Sequence, residues 1–247
     1  MAALRQRLQT KFPLPKEKWH RTGSNWSLRA AVLGVNDGLV SNFCLVMGVS
    51  GGTSNPNFIL LAGVAGLVAG ALSMMAGEYV SVRAQRDIFE RQLEIEAWEL
   101  QEEPEEELQE LIQIYQAKGL TRTEAETVAE RIMADPEVAL DTHAREELGL
   151  DPSQLGGSPW GAALSSFIAF TLGALVPILP YIMNLGAIAF FTSIILSTVC
   201  LISVGAVLAY LSAKPIWWGG VRMLLAGGFA AAVTFGIGTL VGVAFVD

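Results

Sequence analysis

Apolar runs long enough to cross a bilayer recur five times along the chain, at about residues 30–50, 58–80, 160–183, 187–211 and 220–246. Polarity changes abruptly after the second run. Phe58 to Met75 carries no charge, and Gly77-Glu78-Tyr79-Val80-Ser81-Val82 then leads into the polar run Arg83–Glu103 with no turn signal and no proline before Pro104. The pattern predicts a single helix from Phe58 to Glu103, about 70 Å long and roughly twice the hydrocarbon thickness. Such a helix crosses the membrane and projects well into water.

Beyond Pro104 the pattern becomes that of a small soluble bundle. A helix from Pro104 to Lys118 carries Leu108, Leu111, Ile112 and Tyr115 on one stripe, with Gly119 as its C′ residue. Thr121-Arg-Thr-Glu124 has the capping-box spacing that opens a helix to about Ala134. Asp135-Pro136 reads as an N-cap followed by proline at N1, opening a helix to Leu148 that Gly149 ends. The fold class expected is all-α: an integral membrane protein of five transmembrane helices with a cytosolic helical insert between spans two and three. The expected divisions are a basic N-terminal tail (1–29), spans one and two (30–82), an acidic helical domain (83–158) and spans three to five (159–247). Residues 1–12 of the tail read either as a short basic amphipathic helix on the membrane surface or as a disordered segment.

Charge is segregated. The stretch Arg83–Asp151 holds 20 of the 24 acids but only 7 of the 16 lysines and arginines, so it is 13 charges negative. That balance excludes a nucleic-acid surface and favours cations as partners. The remaining basic residues lie in the tail and at Lys214 and Arg222, while the connections Gly51–Asn57 and Asn184–Gly186 have none. With five spans every basic residue then falls on one side, which predicts an N-terminus and acidic domain in the cytosol and a C-terminus opposite. An odd number of spans leaves no internal two-fold repeat, so symmetry is expected from dimerisation. Cys44 and Cys200 both sit in apolar runs, and neither a disulfide framework nor a CxxC site is written here.

Asp37 is the one charged residue well inside a span. An ionised carboxylate there costs several kcal/mol, so it reads as an ion ligand or proton carrier, against the alternative of a satisfied helix-packing residue. Met74, Met75 and Glu78 share a patch of the second span, and thioether with carboxylate suits a borderline transition metal better than Mg²⁺ or Ca²⁺. Methionines in a span are also ordinary packing material. Pro177 and Pro180 in the third span read as a packing kink or as a source of free carbonyl ligands. The spacings Gly34-x3-Gly38, Gly66-x3-Gly70 and Gly238-x3-Gly242 allow close helix approach. In the acidic region Glu96 and Glu99, and Glu107 and Glu110, are i,i+3 pairs, and His143 and Glu147 are i,i+4. Bundled carboxylates with an imidazole suit iron-like ions, while a dense glutamate run is also how a solvated face looks.

The run Gly34-Val-Asn-Asp37-Gly38-Leu-Val-Ser41, the run Ser73-Met74-x-x-Gly77-Glu78-Tyr79-Val80-Ser81 and the five-span layout with a glutamate-rich insert resemble the vacuolar iron transporter family over about Trp26–Phe245. The resemblance implies a homodimer that exports ferrous iron from the cytosol in exchange for protons, with Asp37 and Met74 on an ion path at the dimer interface. It also implies a metal-binding domain using Glu96, Glu99, Glu107, Glu110 and Glu147. A methionine ligand of plant members falls near His143 or Ala144, so the chain departs from the family there and His143 stands as a replacement candidate.

The function expected is therefore a ferrous iron/proton antiporter, with Fe²⁺ as substrate and bound ligand, protons as counter-ion, and other divalent transition metals as further candidates. No organic cofactor and no enzyme activity are expected, and no Walker-type phosphate loop is present. The path candidates are Asp37, Met74, Glu78 and Met75. The membrane is expected to be vacuolar-type or a bacterial inner membrane. The alternative is a membrane-anchored iron storage or ferroxidase protein, whose spans would only anchor and dimerise it.

Overall fold

The computed structural model describes residues 26–152 and 157–245, so the expected amphipathic helix at 1–12 lies outside the described residues. All described secondary structure is helical. The helices are α1 (Trp26–Gly52), α2 (Pro56–Glu102), α3 (Pro104–Ala117), α4 (Arg122–Met133), α5 (Pro136–Glu146), α6 (Pro159–Ile182), α7 (Ala189–Leu211) and α8 (Ile216–Phe245), with a 3-10 turn at Gly186–Ile188. Five of them (α1, α2, α6, α7 and α8) are long and apolar enough to cross a membrane. The protein is thus an all-α multi-pass membrane protein with a helical insert between spans two and three.

Local chemistry explains where each helix starts. Asn55 accepts a hydrogen bond from the Asn57 amide, and Pro56 supplies a preset first turn for α2. Thr121 and Glu124 form a reciprocal capping box on α4, Asp135 caps α5, and Ser158 accepts from the Gly161 amide at the start of α6. Gly119 has φ +99, a conformation that a side chain would strain, so the α3–α4 turn requires glycine there. Two boundaries differ from expectation. The helix α5 stops at Glu146, and α8 begins at Ile216 directly after Pro215, ahead of the apolar run expected from residue 220.

In the membrane unit α1 is central, packing on α6, α8 and α2. The α1–α6 crossing is close because both helices present glycine. A Cβ added to Gly38 would overlap the Phe170 carbonyl, and one on Gly173 would stand 2.8 Å from the Leu39 nitrogen. Gly238 and Gly242 meet Gly48 and Gly52 in the same way between α8 and α1. Between the glycine contacts, Leu39, Phe43, Met47, Leu201 and Ala231 form one buried cluster and Val46, Ile59, Ile178 and Tyr181 another. Pro177 lies inside α6, and its carbonyl accepts the Ser193 hydroxyl at 2.6 Å. Exposed Trp160, Tyr210, Trp217 and Trp218 gather where α6 begins, α7 ends and α8 begins, and Tyr79 packs on Trp160 at 4.8 Å between centroids with the rings tilted by 51°. Aromatic residues in such a belt sit at a membrane–water boundary, where a ring meets both lipid and a polar headgroup.

The insert continues α2 out of the membrane without a break and folds α3 and α5 back against it, with α4 packed on both. Its core is Leu111, Ile112, Ala125 and Ala129, flanked by Leu108, Tyr115, Leu120 and Ile132. An ion pair between Lys118 and Glu146 joins α3 to α5. Small alanines on α4 let the helices approach, and this packing turns one carboxylate face of α2 toward α3 and α5.

Candidate metal centre and ion path

Three helices converge on the interior of the insert. Glu96 comes from α2, Glu107 from the first turn of α3 and His143 from α5, with Glu147 just beyond the end of α5. One ligand atom from each of the four lies within 4.8 Å of the others. The His143 Nδ1 is 3.2 Å from Glu96 Oε1, 3.3 Å from Glu107 Oε2 and 3.6 Å from Glu147 Oε2. His143 and Glu96 are 0% and 2% exposed, so this is not a solvated face. Both His143 nitrogens, Glu96 Oε1 and Glu107 Oε2 are buried without a hydrogen-bond partner. Buried polar atoms are rarely left so, and three carboxylates around one imidazole form a donor set suited to a divalent transition metal.

The electrostatics follow from this crowding. Burial, then the charge of Glu96, pushes Glu107 up to about 7. Burial and the charges of Glu96 and Glu110 likewise raise Glu147. Burial opposes a charged His143 ring, but Glu96, Glu107 and Glu147 outweigh it and hold the imidazole above its ordinary value. Protons and a metal ion held here would therefore compete for the same atoms.

Of the expected ligands, Glu96, Glu107, Glu147 and His143 come together, while Glu99 and Glu110 lie outside the four-residue cluster. The Glu110 charge still acts on Glu107 and Glu147. The i,i+3 spacing could not say which member of each pair points inward, because that depends on where α3 and α5 pack.

In the membrane unit, Asp37 lines a cavity of about 360 Å³ between α1, α2 and α6, together with Ser41, Asn42, Ser73 and Met74. Asp37 and Ser41 are exposed on the outer face of α1. A second cavity, nearer the insert, is lined by Glu78, Met74, Ser81, Gln85 and Arg29. Met74 belongs to both, so it is the shared wall between Glu78 and Asp37. Met75 lines neither cavity. Sequence reasoning missed Arg29, Asn42 and Ser73, since a polar residue's place beside a cavity appears only once the helices are packed.

The sequence matches the VIT family over residues 28–239. It is 39% identical over 219 residues to the vacuolar iron transporter of Acanthamoeba castellanii, covering 86% of this chain and 78% of that one. It is 33% identical over 221 residues to vacuolar iron transporter homolog 1 of Arabidopsis thaliana (87% and 83% covered) and 30% identical over 214 residues to vacuolar iron transporter 1 of Oryza sativa subsp. japonica (85% and 83% covered). These relatives are named as transporters, in agreement with the expectation that the chain is not an enzyme. With a match over nearly all of the described helices and several relatives above 30% identity, the chain belongs to the VIT family.

Proposed function

We propose that this protein carries ferrous iron across its membrane in exchange for protons, working as a homodimer. The observation that carries the reading is Asp37, exposed on a mid-span helix face beside a cavity that Met74 shares with Glu78. A bare carboxylate facing lipid is costly, so a second copy covers it and brings two Asp37 and two Met74 side chains to a common axis. The names of the relatives support iron as the cargo. In this reading residues 83–158 collect metal on the cytosolic side, and residues 30–82 with 159–247 form the membrane unit. The orientation follows from the basic residues, and the membrane is vacuolar-type or a bacterial inner membrane.

The coupling needs no nucleotide. Fe²⁺ passes from the insert to Glu78 and Met74, then to Asp37, and each carboxylate accepts it only when deprotonated. Protons from an acidic far side displace the ion and take its place, so one binding site serves both directions. Mn²⁺ and Co²⁺ fit the same donors. The buried Glu–His cluster also suits the rival reading of an anchored storage or ferroxidase protein. Purified protein in sealed vesicles with an Fe²⁺-sensitive dye inside separates them: an antiporter fills the vesicles when a proton gradient is imposed, and a storage protein binds iron without doing so.

A further inference from the structure

We propose that Asn42 supplies an oxygen ligand to the permeating cation beside Asp37 and so governs which cations pass. This rests on the transport reading above and deepens it. Asn42 is 2% exposed and lines the Asp37 cavity. Its Nδ2 donates to the Ala174 carbonyl of α6 at 2.6 Å. A carbonyl only accepts, so this bond fixes the orientation of the amide and turns Oδ1 away from α6. That Oδ1 is buried and has no hydrogen-bond partner. Native proteins rarely leave such an atom unmatched unless something else binds it.

The backbone of α2 comes close to this oxygen at a glycine. Gly66 of α2 lies over it, and a Cβ there would stand 3.0 Å from Asn42 Oδ1. A methyl there would have to displace the end of the Leu45 side chain, which lines the same cavity. The neighbouring Ser41 hydroxyl already donates to the Asp37 carbonyl at 2.5 Å. Asn42 thus contributes a neutral, fixed oxygen to a site whose other donors are the Asp37 carboxylate and the Met74 thioether. Oxygen donors favour harder ions, and sulfur favours softer ones. The amide tilts the site toward ions such as Mn²⁺ and Fe²⁺ and away from Cd²⁺.

The test uses the full chain in proteoliposomes, with initial uptake of Mn²⁺ and of Cd²⁺ measured separately under one imposed pH gradient. Asn42→Ala and Asn42→Leu remove the oxygen, and size-exclusion chromatography checks that each remains folded. Mn²⁺ uptake should fall about tenfold, the scale on which a supporting group at a metal site acts, with Cd²⁺ uptake falling much less. If Asn42 only ties α1 to α6, both ions fall by one factor or neither falls, and the proposal is overturned. Should neither variant fold, Gly66→Ala leaves Asn42 intact and sets a methyl 3.0 Å from its oxygen, with the flexible end of the Leu45 side chain giving way. The same fall in the Mn²⁺ to Cd²⁺ ratio is expected, and an unchanged ratio overturns the proposal. Wild-type vesicles that take up neither ion would sink the transport reading and this inference together; normal wild-type uptake with unaltered selectivity in the variants sinks this inference alone.

Discussion

Single side chains divide into those whose sequence neighbours reveal them and those that only packing reveals. Asp37 is conspicuous because an apolar run surrounds it. Met74 and Met75 are indistinguishable in the sequence, yet only Met74 lines the two cavities, since a rotation of 100° per residue separates adjacent helix positions. Asn42 reads as an ordinary polar residue until its amide is seen bonded to Ala174. Two predictions belong here. Asp37→Asn keeps the volume but cannot ionise, so proton-coupled Fe²⁺ uptake should be lost while the purified protein keeps its elution volume. Met74→Leu keeps packing volume and removes the sulfur, so Fe²⁺ uptake should slow with less effect on Mn²⁺. Unchanged metal preference and rate in that variant would make Met74 packing material.

At the scale of helices, polarity and capping residues were enough to foresee the continuous α2, the capping box at Thr121 and the all-helical fold. The partners of the small-residue stripes were not foreseeable. Gly34 and Gly38 could have faced any span, and it is their fit against Ser166, Ala169 and Phe170 that sets α1 on α6. Gly38→Leu forces a side chain into the Phe170 backbone, and loss of a monodisperse protein in detergent is expected. The insert makes a different prediction. Replacing Glu96 and Glu107 by Gln removes two carboxylates while keeping size and helix propensity close to the original. Calorimetry on the full-length variant should show loss of the tightest Zn²⁺ or Fe²⁺ binding, with helix content unchanged.

The pH dependence of the insert follows from the same crowding. Glu107 is raised from the ordinary 4.5 to about 7, so its contribution to stability is fully present below 4.5 and is lost as pH rises through about 7. His143 and Glu147 are raised as well and act in the same direction. The metal-free insert should therefore loosen as pH climbs from about 4.5 through about 7, and metal affinity should climb over the same range as the ion replaces protons. Hydrogen exchange of α3 and α5 with and without Zn²⁺ checks this. Protection that rises with pH in the absence of metal would contradict it.

For the whole molecule, membership of the VIT family and the five-span layout agree with what the sequence suggested, because span length and hydrophobicity depend on composition rather than on tertiary contacts. The proposed pairing of two copies concerns a surface rather than a sequence pattern. It is motivated here by the exposed Asp37–Ser41 face of α1 and by the many uncovered apolar side chains of α2. The most direct measurement of the central claim is Fe²⁺ entry into proteoliposomes together with internal pH, for wild type and Asp37→Asn in parallel. Wild-type vesicles with an acidic interior should take up Fe²⁺ and lose protons at matched rates, and the variant should do neither. Fe²⁺ uptake that is indifferent to the proton gradient, or equal in the variant, would contradict the account.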